Sequence, residues 1–388
     1  MRVAVDAISA APGGGSSYLC HQLPELEALG HELFVFAGPD VADDLMTALP
    51  RATVIPITRR SVLARFTFQQ TKMERAARDL GADVLYCPGS SSPLLGRLPL
   101  LLCFQNPHLF TSPAPRDARL SILRIVAWLS ALRATELVHI SGAMAREFSQ
   151  TSALRRQVSI VLSGANEEAR RATPEVLPSG RPYLLAVSNL YRYKRMDLVI
   201  RAYAGEPKLH DAFDLVIVGG EIDSGLTIEL AGLASELGRT RSVHILGYMS
   251  TDRVAGYYAG ASLYVSTSQR EAFPLTPLEA VIAGLPVVLS PIPVFEELYG
   301  EWALFADAFT PLSVSRAMTK ALDRGPVFGA GDVARQRFSW TRNAAEVSAL
   351  LGQALKEGRS RRPSRHDVDV RKLGCLVRTI AGASSERV

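Results

Sequence analysis

The sequence predicts an α/β protein with two halves, each built on a parallel β-sheet flanked by helices. Short apolar runs, typical of buried parallel strands, alternate with helical patterns along most of the chain. This alternation is broken once, at Ala172–Pro182, by four turn-forming residues: Pro174, Pro178, Gly180 and Pro182. Because 388 residues are enough for two domains, this proline-rich segment is predicted to link an N-terminal half to a C-terminal half.

The first half is predicted to begin with a buried strand at Arg2–Ala7. A glycine-rich loop follows, and Ser16 or Ser17 is the expected N-cap of the next helix, which ends at Gly30. The later strands of this half are predicted at His31–Ala37, Asp83–Cys87, Leu100–Phe104, Leu137–Ile140 and Val158–Leu162.

The second half repeats the alternation, with helices predicted at Asp197–Tyr203 and Pro277–Ala283. Its strands are predicted at Tyr183–Val187, Phe213–Val218, Ser242–Leu246, Leu263–Ser266 and Pro286–Leu289. Ligands of such sheets bind outside the carboxyl ends of the strands, so a cleft between the two halves is the expected binding site.

Composition excludes several classes of protein. With 47% hydrophobic and 21% charged residues, the chain is neither disordered nor a coiled coil. No run of about 18 uncharged apolar residues and no signal-peptide pattern is present, so we expect a protein of the cytoplasmic side. The four cysteines form no CxxC pair, which argues against a zinc site or a disulfide framework.

The positive charge is concentrated at the C-terminus. From Arg359 onward, eight basic residues stand against three acidic ones, which accounts for the whole net charge of +5. Arginines also surround the apolar stretch Ile122–Leu132. Both segments could rest on an anionic membrane surface, at its inner face; the alternatives are an amphipathic core helix and a disordered tail. Nucleic acid is not expected as a partner, since no aromatic residues interleave the tail charges.

The most informative segment contains two glutamates eight positions apart, Glu271 and Glu279, followed by Gly284-Leu-Pro286-Val-Val. Here the sequence resembles the retaining glycosyltransferases of family 4 (group 1), whose signature is this glutamate pair and a small-residue helix. The resemblance implies the GT-B fold, with two Rossmann-like domains facing a cleft. The expected domains are an acceptor-side domain at 1–172, a nucleotide-sugar-binding domain at 183–340, and a crossover helix with a basic tail at 341–388.

The resemblance also implies roles for residues of the second half. Glu271 is expected near the sugar hydroxyls, Glu279 at the ribose hydroxyls, and Lys194 as a point charge on the leaving diphosphate. The backbone of Phe273, Pro274 and Leu275 is expected near the sugar and phosphate, although Pro274 has no N–H to donate. For Glu279 a structural alternative remains, because Thr276-Pro277-Leu278-Glu279 also fits a helix capping box with Thr276 as N-cap.

In the first half, the loop of Gly13, Gly14 and Gly15 is expected to contact phosphate or acceptor, the alternative being a tight βα turn. His108 is the candidate for a histidine that the family often places near the reacting sugar, with Asn106 as its rival.

One arginine of the family pattern is missing, since Asn189 stands in its place. On an extended loop, Arg192 would point to the same side as Lys194 and Arg195 away from it, so Arg192 is the predicted replacement.

The function predicted from these features is transfer of a hexose from a nucleotide-sugar to a hydroxyl of a growing glycan, lipid-linked glycans included. Mannose from GDP-mannose is the first choice of donor, with UDP-sugars close behind. No cofactor and no metal ion are expected, because no cluster of metal-ligand spacing occurs. The alternatives are a nucleotide-sugar 2-epimerase-type isomerase on the same fold and a non-catalytic nucleotide-sugar-binding protein.

Overall fold

A computed structural model describes residues 1–58, 61–109, 118–151 and 157–358. The chain forms two compact units. The first contains Met1–Gly164 and resumes at Ser339, while the second contains Ala165–Phe338. The second unit is therefore an insertion in the chain of the first.

The first unit is built on a seven-stranded parallel sheet with the order β3-β2-β1-β4-β5-β6-β7. Its strands are β1 (Arg2–Ala7), β2 (Glu32–Ala37), β3 (Thr53–Pro56), β4 (Val84–Cys87), β5 (Leu100–Phe104), β6 (Glu136–His139) and β7 (Ser159–Ile160). Strand order reverses between β1 and β4, which makes the carboxyl ends of these two strands the switch point where ligands bind in such sheets.

The helices of the first unit include one contributed by the end of the chain. They are α1 (Gly14–Ala28), α2 (Ala42–Ala48), α3 (Val62–Phe68), α4 (Glu74–Asp79), α5 (Ala118–Arg133), α6 (Gly142–Thr151) and α16 (Trp340–Glu357), with a π-helical turn at Gln69–Met73 between α3 and α4.

Helix α1 starts earlier than the sequence predicts. Gly13 is its N-cap, with φ of 100°, and the N–H of Ser17 donates to the carbonyl of Gly13. The prediction of Ser16 or Ser17 as N-cap is therefore wrong. The physical reason is that glycine accepts a positive φ and turns the chain into the helix before the serines are reached.

A buried polar network holds helix α16 against the rest of the first unit. The amide nitrogen of Gln22 donates to Asn343 Oδ1 at 2.7 Å and to the Tyr18 hydroxyl at 2.6 Å. The hydroxyl of Tyr86, on β4, donates to Gln22 Oε1 at 2.9 Å, and Asn343 Nδ2 donates to the carbonyl of Leu162. Since each of these buried groups has a partner, the network fixes where the returning helix lies on α1 and β4.

The second unit is built on a six-stranded parallel sheet with the order β10-β9-β8-β11-β12-β13. Its strands are β8 (Tyr183–Val187), β9 (Asp214–Val218), β10 (Val243–Ile245), β11 (Leu263–Ser266), β12 (Val287–Leu289) and β13 (Ala303–Phe305). Its switch point lies between β8 and β11. Its core is apolar, with Leu184, Leu215 and Leu263 among its fully buried residues.

The helices of the second unit flank this sheet. They are α7 (Glu168–Arg171), α8 (Met196–Ala204), α9 (Pro207–His210), α10 (Leu226–Glu236), α11 (Thr251–Gly260), α12 (Leu275–Ile282), α13 (Pro293–Tyr299), α14 (Pro311–Arg324) and α15 (Ala330–Arg337).

The boundary between the units does not lie in the proline-rich segment. The chain passes from one unit to the other at Gly164 and Ala165, and Ala172–Pro182 belongs wholly to the second unit. Glu175 explains why, because its N–H donates to the carbonyl of Gly256 at 2.9 Å and its own carbonyl accepts from the Tyr183 hydroxyl. The prolines therefore shape a segment that is packed on its own domain.

Two predictions concern membranes and the tail. Within the described part of the chain, none of the helices combines the length and the apolar content that a membrane span requires. The basic tail at 359–388 lies outside the described residues. So does Arg116, one of the arginines near the apolar stretch Ile122–Leu132.

Candidate functional site

Two loops meet at the switch point of the second sheet. The first follows β8 and contains a 3₁₀ turn at Arg192–Lys194. The second follows β11 and carries the first glutamate of the signature. The loops are joined through the backbone, because the N–H of Gln269 donates to the carbonyl of Tyr193 at 2.9 Å. This is the position at which ligands bind in doubly wound sheets.

Lys194 and Glu271 form an ion pair across this junction. Lys194 Nζ lies 2.5 Å from Glu271 Oε1, and the two side chains are only 14% and 11% exposed. The ammonium also lies 5.2 Å from the centre of the Tyr193 ring, which is a cation–π distance. The family resemblance implies roles for both residues from two separate segments, and the structure brings them together. An anion that approaches Lys194 would compete with Glu271 for the ammonium and free the carboxylate to accept hydrogen bonds.

Glu279 does not cap the helix on which it lies. Helix α12 begins at Leu275 with Pro274 as N-cap, so Thr276 is inside the helix. The hydroxyl of Thr276 accepts a hydrogen bond from Tyr264 at 2.8 Å instead of capping. The capping-box alternative is therefore wrong, because the chain enters the helix earlier than Thr276.

The carboxylate of Glu279 is held by an asparagine that the sequence analysis did not single out. Asn166 Nδ2 donates to Glu279 Oε1 at 2.8 Å, and Asn166 is only 4% exposed. No motif surrounds Asn166, so no signal in the single sequence could have found it. An asparagine that fixes one oxygen of a carboxylate also fixes the orientation of the other oxygen.

Three buried tyrosines hold the start of α12. Tyr299 donates its hydroxyl to the carbonyl of Pro274, Tyr258 donates to the carbonyl of Thr276 at 3.1 Å, and Tyr264 donates to the Thr276 hydroxyl. Burial raises the pKa of all three phenols, so they remain protonated donors at any ordinary pH. The helix start is thus anchored from α11, β11 and α13 at once.

The segment Phe273–Leu275 offers fewer backbone donors than three residues normally would. Pro274 has no N–H, and its carbonyl is occupied by Tyr299. The Phe273 side chain packs edge-on against Phe338, with ring centres 5.5 Å apart, and is 8% exposed. Its side chain therefore belongs to the core, so any ligand contact of this segment is a backbone contact.

The geometry predicted for Arg192 is wrong. The loop is a 3₁₀ turn instead of an extended segment, so residues two apart do not share a side. Arg192 instead makes a bidentate ion pair with Glu229 on α10, at 2.5 and 2.7 Å, and is 59% exposed. Arg195 pairs with Asp197. The turn therefore directs Lys194 and Arg192 to different partners.

In the first unit, the glycine loop lies after β1, at the switch point of that sheet. Only Gly13 needs to be glycine for conformational reasons, since its φ is positive. At Gly14 and Gly15 a Cβ would meet nothing within 4 Å. The fold therefore does not require glycine at these two positions, and close approach of a ligand to the backbone is the remaining physical reason for it.

His108 lies in a turn after β5. Its N–H donates to Asn106 Oδ1 at 2.9 Å. The loop is held by the hydroxyl of Ser90, which accepts from the N–H groups of Gln105 and Asn106 at 3.0 and 3.3 Å. Ser90 has φ of 66°, and with Arg195 it is one of two non-glycine residues with positive φ in the part of the chain described here. The role of His108 stays a prediction.

Among the described residues, no three histidine, cysteine or carboxylate side chains are grouped closely enough to hold a metal ion.

Comparison with known proteins agrees with the site. The sequence profile of the glycosyl transferases of group 1 matches residues 167–344, which include both glutamates and Lys194. A phosphatidyl-myo-inositol mannosyltransferase of Mycobacterium leprae is 25% identical over 371 residues, which cover 89% of this chain and 95% of that protein. Over residues 167–344 this chain is therefore similar to the glycosyl transferases of group 1.

Other relatives match over shorter stretches. A D-inositol 3-phosphate glycosyltransferase of Salinispora tropica is 31% identical over 197 residues, or 47% of this chain and 40% of that protein. This chain aligns with only 40% to 51% of the lengths of three such relatives. Among solved structures, Anabaena HepE in complex with UDP and glucose aligns with a TM-score of 0.73 at 18% identity, covering 91% of this chain and 100% of that one. The predicted GT-B fold of two parallel α/β units is therefore confirmed.

Proposed function

We propose that this protein is a glycosyl transferase of group 1 that transfers a hexose from a nucleotide-sugar to a hydroxyl of a growing glycan, with retention of the anomeric configuration. The single observation that carries the proposal is the buried ion pair of Lys194 and Glu271 at the switch point. A cation that is held there by one carboxylate can be taken over by a diphosphate. Glu279 follows Glu271 in the sequence and lies in helix α12, where one of its carboxylate oxygens accepts a hydrogen bond from Asn166.

In the proposed reaction the bond between the anomeric carbon and the diphosphate oxygen breaks. Negative charge grows on the leaving diphosphate, and Lys194 stabilises it where it develops. Glu271, released from Lys194, accepts hydrogen bonds from the sugar hydroxyls, while Glu279 accepts them from the ribose. The acceptor oxygen forms the new bond on the same face, and its proton goes to the leaving diphosphate. No carboxylate is assigned as a nucleophile.

The donor is proposed to be GDP-mannose, with UDP-sugars as the alternative. The first choice is supported by the name of the M. leprae relative, a mannosyltransferase. The alternative is supported by the HepE complex, which contains UDP and glucose. Lipid-linked glycans are proposed among the acceptors, at the inner face of a membrane. The net charge carried by residues 359–388 supports this part.

Glu279→Ala tests the nucleotide site. We expect the affinity for GDP or UDP to fall at least about tenfold. The variant loses the charge-assisted hydrogen bonds that the carboxylate would accept from two ribose hydroxyls. Calorimetric titration with both nucleotides and a melting curve would be run on the same preparations. Normal nucleotide affinity in the folded variant would remove Glu279 from the site.

Turnover is expected to be independent of divalent metal, because Lys194 supplies the cation that would otherwise be needed at the diphosphate. The measurement is transfer in EDTA, followed by re-addition of Mg²⁺ or Mn²⁺. Loss of turnover in EDTA that either ion restores would contradict this account of leaving-group stabilisation.

Two alternatives give different products. A 2-epimerase-type isomerase would release a free epimerised nucleotide-sugar without any acceptor. A non-catalytic binding protein would bind nucleotide-sugar and leave every acceptor of a panel unchanged. Incubation with GDP-mannose and UDP-glucose, with and without acceptors, separates these outcomes by product analysis.

A further inference from the structure

Arg195 adopts a backbone conformation that suits glycine better than arginine. Its φ and ψ are 54° and 45°, in the left-handed region, and it links the 3₁₀ turn to α8. A residue with a Cβ is held there only at a cost in free energy, so the surroundings must supply compensating contacts. The residue directly before it is Lys194.

Besides the ion pair of Arg195 with Asp197, compensating contacts come from Thr267, the first residue after β11. Its hydroxyl donates to the carbonyl of Arg195 at 2.8 Å and lies 3.2 Å from the carbonyl of Lys194. Thr267 is 1% exposed, and the carbonyl of Arg195 also accepts from the N–H of Leu198 at 3.0 Å, so the hydroxyl is the donor that ties this turn to the end of β11. The hydroxyl therefore stabilises both the strained residue and the lysine before it.

A second bond ties the same turn to the same loop, from the N–H of Gln269 to the carbonyl of Tyr193. Four residues after Thr267 the loop carries Glu271, the partner of Lys194. We propose that Thr267 is a positioning residue: its buried hydroxyl sets the backbone from which Lys194 reaches the leaving group. This inference rests on the proposed function of Lys194.

The expected consequence is catalytic as well as structural. A lysine side chain has four rotatable bonds, so its ammonium is placed well only if its backbone is fixed. Thr267 itself is buried and is not assigned any contact with the donor. Loss of its hydroxyl should therefore lower kcat and nucleoside diphosphate affinity by displacing Lys194.

The test compares Thr267→Val, which removes the hydroxyl at nearly constant shape, with Thr267→Ser, which keeps it. Thr310→Val is the matched control, because this substitution also removes a threonine hydroxyl, the one that caps α14 in the same unit. We expect Thr267→Val to lower kcat and GDP or UDP affinity about five- to tenfold. Thr267→Ser and Thr310→Val should stay within about twofold of the original protein. A Thr267→Val protein with unchanged kcat and affinity would overturn the proposal, whatever its melting temperature.

A double variant covers the case in which Thr267→Val folds poorly. Glycine accepts the left-handed conformation without strain, so Thr267→Val with Arg195→Gly should fold and recover part of the lost affinity. No recovery in a folded double variant would count against the link through Arg195. Binding of GDP and UDP by the unaltered protein is measured first. If it binds neither, the proposed function fails; if it binds and Thr267→Val binds equally, only the positioning role fails.

Discussion

His139 shows how burial alone changes the chemistry of a side chain. It ends β6 with its ring packed against Phe104 and Phe148, at centroid distances of 5.1 and 5.0 Å. Burial lowers its pKa to about 4, since the charged imidazolium would lose its hydration there. His139 falls within the predicted strand Leu137–Ile140, and in the structure it is a fully buried core residue.

His139 is expected to make the protein acid-sensitive. The unfolded chain takes up the proton near pH 6.5 and the folded protein only near pH 4, so stability falls as the pH drops between these values. His139→Leu should remove about 2 kcal/mol of the stability loss between pH 7 and pH 5. Urea unfolding of both proteins at the two pH values measures this. Equal losses in both would show that His139 does not titrate as described.

The roles of some site residues could be predicted from the sequence, and those of others could not. Glu271 and Glu279 lie in one motif, and the family resemblance implies the role of Lys194 from a separate segment. The direction of Arg192 depends instead on the 3₁₀ turn at Arg192–Lys194, which no local pattern encodes. Asn166 reaches Glu279 across 113 positions of sequence, so only tertiary structure reveals their contact.

The glycine loop before α1 allows its two explanations to be separated. Gly13→Ala should lower the free energy of unfolding by about 1–3 kcal/mol, because only glycine adopts its backbone angles freely. Gly14→Ala should leave stability equal or raise it by up to about 1 kcal/mol, since alanine favours the helix and the space is open. Chemical denaturation measures both.

The Gly14→Ala variant also tests whether the loop contacts a ligand. If the loop contacts phosphate or acceptor, Gly14→Ala will lose transfer activity while remaining folded. Full activity in that variant would support the tight-turn explanation instead.

Among the elements, buried central strands were the easiest to predict. Strands β1, β4, β5, β8, β9 and β11 all fall within about one residue of the predicted positions. The strands that the sequence did not reveal, β3 and β13, each lie at the edge of a sheet. Edge strands are buried on fewer sides, and β3 is at most half-buried along its length, so the apolar run that marks a parallel strand is missing.

For the whole molecule, the distribution of charge leads to a prediction about partners. A protein ending at Gly358 would lose the entire net charge of +5. We expect it to bind anionic vesicles more weakly than the full chain, with the difference shrinking between about 50 and about 300 mM salt as screening increases. Vesicle sedimentation measures this, with neutral vesicles as control. Equal binding of both proteins would exclude the tail as a membrane contact.

The insertion of one unit into the other also determines the order in which the protein can be completed on the ribosome. The first unit's seven strands are synthesised early, but α16 emerges only after the whole second unit. Until then Gln22 lacks the partner that Asn343 provides, and Tyr18 lacks the Trp340 ring that lies 5.4 Å away. The nascent first unit therefore exposes an unfinished apolar surface throughout that interval, when a chaperone would have most to protect.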